Sequence, residues 1–344
     1  MPTGSTSSST ARSSRPAATR SCCARASATP PSTSSASPTT AARTWPASRS
    51  PTRRWRASRR PAMSGRPPRS DLSVRFHITA DVMHLQVNGI GIHCEVEGAD
   101  GAPWVVFSNS LVTNLTMWDA QAAMLRQKFR VLRYDQRGHG GTEATAGRYD
   151  FDLLIADLAG LLDALGVARA HLVGLSMGGV TVLGLAARFP ERVDSVVVCD
   201  TGAASSPESA RAWEERIALA QAQGMDPLVE PTVTRWCPPE IVAAAPPHLD
   251  RLRQMIRTTP VNGFVGCAAA LADHDMRPAA AALRVPATFV VGEKDGTTPA
   301  AMRRLHDSLP GSRYEVIPGA GHIANLDQPE HFDRVLGDCL RAGA

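Results

Sequence analysis

The chain has 344 residues and a formal net charge of +5, and its length allows two domains or one large α/β domain. Residues 1–70 hold 13 Arg and no acidic residue, whereas the remaining 274 residues hold 24 basic and 32 acidic side chains, a net charge of −8. Because the part that can fold is acidic, a basic nucleic-acid-binding body is excluded.

Residues 1–80 are predicted to form a disordered leader rich in Ser, Arg, Ala, Pro and Thr. Residues 1–70 contain no Leu, Ile, Val or Phe, so the leader cannot offset an ordering entropy of roughly 1–2 kcal/mol per residue. Three interpretations stay open: a transit peptide, a basic tail for nucleic acid or anionic lipid, or a gene read from too early a start. We favour the last and expect the natural start at Met83, just before the first patterned strand.

From about residue 83 the sequence predicts one α/β domain over 81–344. Strands at 85–87 and 91–97 flank the turn pair Asn88-Gly89. Short apolar strands then alternate with helical segments, which predicts a mostly parallel, doubly wound sheet covered on both faces. The further strands are expected at 104–107, 129–134, 171–173, 193–199, 286–291 and 314–317, and the helices at 119–128, 154–165, 180–188, 299–308 and about 329–342.

Between about residues 202 and 278 the alternation of strands and helices stops. Helical stretches at 208–223, 249–257 and 266–272 follow one another without strands and are separated by prolines. We interpret this region as a helical cap inserted into the α/β order, closing a small pocket at the sheet edge.

The segment Gly174-Leu175-Ser176-Met177-Gly178 fits G-x-S-x-G between a strand and a helix. A serine on such a turn stands above the sheet edge, and the glycines let neighbouring backbone pass close by. Taken alone, the motif is also compatible with an ordinary glycine-rich turn.

Candidate partners for Ser176 occur in the expected order. A serine nucleophile needs a general base, and Asp295 and His322 each follow a late strand, the acid before the histidine. Asp200 and Glu293 compete for the acid role. A helix-cap role for Asp295 and a surface-loop role for His322 are the plain alternatives.

The predicted oxyanion hole consists of the backbone N–H groups of Met177 and Leu111. Asp135 and His139 are interpreted as a hydrogen-bonded loop that braces the sheet edge.

The sequence holds no phosphate loop, dinucleotide fingerprint or metal-ligand cluster, so neither a cofactor nor a metal is expected. Its seven cysteines lack metal-ligand spacing, and they are predicted to be reduced and mostly buried.

Four stretches together resemble the α/β-hydrolase superfamily: 134–140 (Tyr-Asp-Gln-Arg-Gly-His-Gly), the turn at Ser176, 190–193 (Pro-Glu-Arg-Val) and Gly321-His322. Within it, Ser108-Asn109-Ser110-Leu111, Met117-Trp118 and Arg235-Trp236 resemble the 3-oxoadipate enol-lactonases. The resemblance implies hydrolysis of an enol-lactone in the protocatechuate branch of aromatic catabolism. This chain departs from it after the strand ending at Cys199, where the family usually has Asn-Thr-Ala-Ala and a basic residue.

Here the corresponding residues are Asp200-Thr201-Gly202-Ala203-Ala204, so the usual basic position is Ala204. Arg235 and Trp236 are therefore the candidate substrate contacts, Arg235 for a carboxylate and Trp236 for an apolar wall that Trp213 extends. A packing role for either tryptophan is an equal alternative.

The leading hypothesis is a serine hydrolase that acts on a small lactone or ester. The alternatives are a carbon–carbon bond hydrolase, another carboxylesterase and a noncatalytic binding protein. No run of 18 apolar residues and no apolar h-region occur, so we expect a cytoplasmic enzyme without a membrane or nucleic-acid partner. The sequence does not specify an oligomeric state.

Overall fold

The computed structural model describes residues 81–342, so the predicted leader and the last two residues lie outside the described part. That part contains eight strands: β1 (Asp81–Val87), β2 (Ile90–Glu97), β3 (Trp104–Ser108), β4 (Arg130–Tyr134), β5 (Ala170–Leu175), β6 (Val193–Cys199), β7 (Ala287–Gly292) and β8 (Arg313–Ile317). Its α-helices are α1 (Asp119–Leu125), α2 (Phe151–Ala164), α3 (Met177–Arg188), α4 (Pro207–Gln223), α5 (Val229–Trp236), α6 (Pro239–Ala244), α7 (Pro247–Thr258), α8 (Val261–Asp273), α9 (Arg277–Ala282), α10 (Thr298–Asp307), α11 (Ala324–Asp327) and α12 (Pro329–Ala342). None of the described helices is long and apolar enough to cross a membrane.

The strands form one sheet in the order β1-β2-β4-β3-β5-β6-β7-β8, antiparallel for the pairs β1–β2 and β2–β4 and parallel elsewhere. Asn88 and Gly89 both have positive φ, 48° and 80°, as a tight hairpin turn requires. Met83 pairs with Cys94 inside β1, so its expected position before the first strand is wrong. Most of β1 is partly or fully exposed, and such an edge strand leaves little apolar pattern to locate its start.

Helices cover the sheet on both faces. Every residue of β5 and of β7 is buried, which a strand achieves only when both faces are covered. Helix α3 packs on β3, β5 and β6 and against α2, while α12 packs on β6 and β8 and against α1. The mostly parallel α/β sheet predicted from the sequence is confirmed.

Six helices, α4 to α9, lie between β6 and β7. The two ends of this insertion are joined by backbone hydrogen bonds from Met276 N to Ala203 O (2.6 Å) and from Ser205 N to His274 O (3.0 Å). The sequence pattern does not predict helices α5, α6 and α9, because each contains a proline, which is typical of a break between helices. In α6 and α9 the proline is at the first or second position of the helix, where the missing N–H costs no helical hydrogen bond.

The parallel strands bring five predicted residues to one edge of the sheet. Because parallel strands end at the same edge, the segments after β3, β5, β6, β7 and β8 all begin there. These segments carry Leu111, Ser176, Asp200, Asp295 and His322, respectively.

Candidate active site

Ser176 occupies a strained turn between β5 and α3. Its φ and ψ are 54° and −115°, a conformation that a residue with a Cβ adopts rarely and at a cost of about 1–3 kcal/mol. Hydrogen bonds hold it on both sides: Ser176 N–H donates to Cys199 O at 2.8 Å, and Val180 N–H donates to Ser176 O at 3.0 Å. The surrounding sheet and helix therefore impose this strained conformation on the serine.

The glycines of the turn are sterically required. A Cβ at Gly174 would overlap the Gly178 carbonyl, and a Cβ at Gly178 would overlap the Ser108 carbonyl. The chain after β3 thus passes directly against the first turn of α3, which brings the loop at Leu111 towards Ser176.

Asp295 and His322 form a hydrogen-bonded pair. His322 Nδ1 lies 2.9 Å from Asp295 Oδ2, and both side chains are largely buried. The pair leaves the other imidazole nitrogen, Nε2, for a second partner. Between residues 81 and 342 no hydrogen bond joins Ser176 to His322, and such contacts are often long before substrate binds.

The backbone of the His322 loop is fixed from two directions. His322 N–H donates to Trp236 O at 2.7 Å, and the Trp236 and His322 rings lie 4.9 Å apart. On the other side Gly321 N–H donates to Asp327 Oδ2 at 2.8 Å. The end of α5 therefore positions the histidine directly, a link that the sequence did not indicate.

The backbone N–H groups of Leu111 and Met177, near Ser176, have no acceptor among the described residues. The Met177 group is the first of α3, and the N-terminal N–H groups of a helix lack intrahelical partners. Next to Leu111, the Val112 N–H is bound by His139 Nε2 at 3.0 Å. The Leu111 and Met177 N–H groups are therefore both available to a negatively charged oxygen.

His139 and Asp135 hold this loop, in agreement with their predicted bracing role. Since Val112 N–H donates to Nε2, the proton of His139 is on Nδ1, which lies 3.1 Å from Arg137 O. Burial lowers the pKa of His139, which favours the same neutral form. Asp135 Oδ1 accepts from Leu115 N–H at 2.7 Å.

The two competitors of Asp295 have other partners. Asp200 is fully buried with a φ of 47°, and its Oδ1 accepts from Gly292 N–H at 2.7 Å. Burial, and to a lesser degree the charge of Asp295, raise the pKa of Asp200 well above its ordinary value. Glu293 Oε2 accepts from Gly319 N–H at 2.9 Å. In this structure His322 is paired with neither of them.

A small cleft, partly open to solvent and with room for about one water molecule, lies beside the site. The predicted contacts Arg235 and Trp236 line it together with Trp213. Arg216 does so too and was not predicted, because a single arginine on a charged helix carries no sequence signal. The full lining is Leu111, Val112, Trp213, Arg216, Leu228, Thr232, Arg235, Trp236 and Phe264. Ser176 and His322 do not line this cleft. Leu111 and Trp236 do, and the Trp236 ring packs on His322.

Within the described part of the chain, no group of three or more His, Cys, Asp and Glu side chains is placed to hold a metal ion. Five cysteines fall in the same part, and all are buried and reduced, as predicted: Cys94, Cys199, Cys237, Cys267 and Cys339. The pair Cys22-Cys23 lies outside it.

The family model described as alpha/beta hydrolase fold matches residues 103–329. The chain belongs to the α/β hydrolase family. The relatives of this α/β hydrolase include 3-oxoadipate enol-lactonase 2 of Acinetobacter baylyi, which is 35% identical over 253 residues, 73% of this chain and 94% of that protein. The hydrolase is also similar to the crystal structure of the enol-lactonase from Burkholderia xenovorans LB400, with a TM-score of 0.72 and 38% identity over 75% of this chain and 100% of that one.

A putative carbamate hydrolase, RutD, from Stutzerimonas stutzeri is 27% identical over 256 residues, 72% of this chain and 96% of that protein. These relatives confirm the family and the resemblance to enol-lactonases, and they support hydrolase activity.

Proposed function

We propose that this α/β hydrolase cleaves a small lactone or ester through an acyl-enzyme on Ser176. The observation that carries the proposal is the buried Asp295–His322 pair, at 2.9 Å, at the same sheet edge as a serine held at a φ of 54°. A nucleophile on a strained turn, a histidine and an orienting acid are the three groups that acyl transfer needs.

In the proposed mechanism His322 Nε2 takes the proton of Ser176 Oγ as that oxygen attacks the carbonyl carbon. Asp295 holds the Nδ1 side of the ring and stabilises the imidazolium that forms. The carbonyl oxygen becomes an oxyanion, for which the Leu111 and Met177 N–H groups are the donors. His322 then protonates the leaving oxygen, which in a lactone stays attached to the acyl chain. Water, deprotonated by His322, releases the acid and restores Ser176.

The proposed substrate is 3-oxoadipate enol-lactone. The support is the similarity to two proteins named as enol-lactonases, together with Arg235 and Trp236 in the cleft beside His322. This substrate carries a carboxylate, for which Arg235 is the proposed cation. An ionised Asp200 would repel that carboxylate, but burial raises the pKa of Asp200 and so favours its neutral form. Action in the cytoplasm stays a prediction.

A carboxylesterase acting on a neutral ester is the second candidate, because the basic residue usual in the family is Ala204 here. The test compares kcat/KM for 3-oxoadipate enol-lactone, a neutral short-chain ester and a carbamate, with Ser176→Ala as the control. We expect the lactone to have the highest value and the Ser176→Ala variant to be inactive on all three. A higher value for the neutral ester or the carbamate contradicts the lactonase assignment. A protein inactive on every ester, lactone and carbamate supports the noncatalytic alternative.

A further inference from the structure

Strand β8 is an open edge of the sheet. It pairs in parallel with β7, and no other strand among residues 81–342 pairs with it. Ile317 O accepts from the N–H of the first residue after β7 at 3.0 Å, so the backbone groups of Ile317 point at β7. Because the backbone groups of successive strand residues point to alternate sides, those of Arg313 and Glu315 also point at β7. Tyr314 and Val316 therefore present their N–H and C=O groups to the open side.

The side chains of this edge carry charges of both signs. Arg313 and Glu315 lie on one face of β8 and form an ion pair at 3.0 Å with 44% and 35% of their side chains exposed, so the pair stabilises the chain little. On the other face Val316 is an apolar side chain that is 39% exposed. Natural edge strands are usually protected by charged residues, by proline or by a covering element, because their free backbone groups pair readily with another strand. Charges of both signs protect poorly, since a second copy can place each charge beside its opposite.

One antiparallel register suits a second copy of β8, and the registers differ in the residue that lies at the centre. With Arg313 or Glu315 at the centre, that residue faces its own counterpart, and like charges directly opposite are destabilising. With Val316 at the centre, Tyr314 faces Pro318, which has no N–H to donate. With Tyr314 at the centre, Arg313 of each copy faces Glu315 of the other, and opposite charges on facing residues are stabilising.

The backbone and the tyrosine ring also fit this register. The Tyr314 N–H of each copy donates to Tyr314 O of the other, and Val316 N–H donates to Ser312 O of the second copy. The Tyr314 ring is held on its face of β8, because the Arg303 guanidinium lies 4.1 Å from its centre and its hydroxyl donates to Pro299 O at 3.0 Å. It is then the diagonal neighbour of the exposed Val316 of the second copy, within reach of an aromatic side chain.

We propose that the protein forms a homodimer in which two copies of β8 pair antiparallel about Tyr314 and join the two sheets into one. Such an interface is isologous, because the same surface of both copies meets. Helix α10 packs on the Tyr314 face of β8, and α12 lies on the opposite face, where Cys339 borders the same space as Arg313. Both helices therefore meet their counterparts and extend the contact beyond the strands, as a stable interface of more than about 1,000 Å² requires. The dimer does not depend on the proposed function, because none of these residues belongs to the site at Ser176.

Analytical ultracentrifugation of the full chain over a concentration series measures the dissociation constant of the dimer. Arg313→Glu and Glu315→Arg each place like charges opposite one another, and each should raise the dissociation constant at least about tenfold. Both changes also break the ion pair within the chain, so an equimolar mixture of the two variants is the decisive sample. In the mixed dimer every introduced side chain faces an opposite charge on the other variant, although neither chain has its own ion pair. We expect the mixture to dimerise within about threefold of the wild-type dissociation constant.

Glu191→Arg is the matched control, because Glu191 is exposed and lies between α3 and β6, outside the interface. It makes the same charge change as Glu315→Arg and should leave the dissociation constant within about twofold. Val316→Pro is a second test, since it removes an N–H that faces the open side and should abolish the dimer with the melting temperature retained. The proposal is overturned if the wild-type protein stays monomeric throughout the series, if neither charge reversal weakens the dimer, or if the mixture does not dimerise.

Discussion

Asp295 Oδ2 and His322 Nδ1 lie 2.9 Å apart although 27 residues separate them in the chain. Asp295 follows β7 and His322 follows β8, and these neighbouring strands pair in parallel up to Gly292 and Ile317. Gly292 has no room for a side chain, since a Cβ there would overlap the Gly321 carbonyl. Adjacent strand ends and one glycine contact therefore bring the acid to the histidine.

The first prediction distinguishes the two buried aspartates. Asp295→Asn should lower kcat by about 10⁴-fold, because the amide no longer stabilises the imidazolium or fixes its tautomer. Asp200→Asn should change kcat by less than about tenfold, since its acceptor oxygen for Gly292 N–H is retained. Steady-state kinetics on both variants give the ranking, and the reverse ranking would refute Asp295 as the orienting acid.

A second prediction concerns stability and pH. The raised pKa of Asp200 means that the folded protein keeps a proton that the unfolded chain loses near pH 4. The stabilisation that this bound proton contributes is therefore fully present below about pH 4. Above pH 4 the free energy of unfolding falls by up to about 1.4 kcal/mol per pH unit, until the pH reaches the pKa that Asp200 has in the folded protein. Asparagine does not ionise, so the Asp200→Asn variant should not lose this free energy of unfolding as the pH rises.

Urea unfolding of wild type and Asp200→Asn at pH 4, 5.5 and 7 measures the difference. The variant should gain relative stability as the pH rises. A difference that stays constant across the three pH values would show that Asp200 is not protonated in the folded state.

The third prediction concerns the steric requirement for glycine at position 178, in the turn at Ser176. Gly178→Ala should cost about 1–3 kcal/mol of stability and most of the activity, because its methyl group meets the Ser108 carbonyl. Gly202→Ala is the matched control, since a Cβ there meets only Ala204 O at 3.9 Å. Thermal melts and kcat should separate the two variants, and equal behaviour would contradict the steric account of the turn.

Much of this arrangement was predictable from sequence because it is local. The turn at Ser176, the alternation of strands and helices, and the polar residues after β7 and β8 are each encoded in a few consecutive positions. The contacts of Trp236 with His322, of Arg216 with the cleft and of Asp327 with Gly321 are not. They depend on how the inserted helices pack over the sheet, and no short pattern of residues specifies that packing.

His139 provides the fourth prediction. Its imidazole accepts the Val112 N–H at 3.0 Å, so His139→Ala should let the loop carrying Leu111 shift. We expect kcat to fall roughly ten- to a hundredfold with a smaller change in KM, as for a displaced oxyanion donor. His171→Ala is the control: its buried ring binds Ser195 Oγ at 2.8 Å near the amino-terminal ends of β5 and β6, at the opposite edge of the sheet from Leu111. It should lower stability while kcat is kept, and equal kcat losses would contradict the positioning role of His139.

In the proposed mechanism Ser176 carries the acyl group. The most direct measurement is intact-protein mass spectrometry with peptide mapping after treatment with a fluorophosphonate, on wild type, Ser176→Ala and His322→Ala. We expect one adduct on Ser176 in wild type, none in Ser176→Ala, and labelling slowed by several orders of magnitude in His322→Ala. An adduct on another residue, or unchanged labelling of Ser176→Ala, would contradict it.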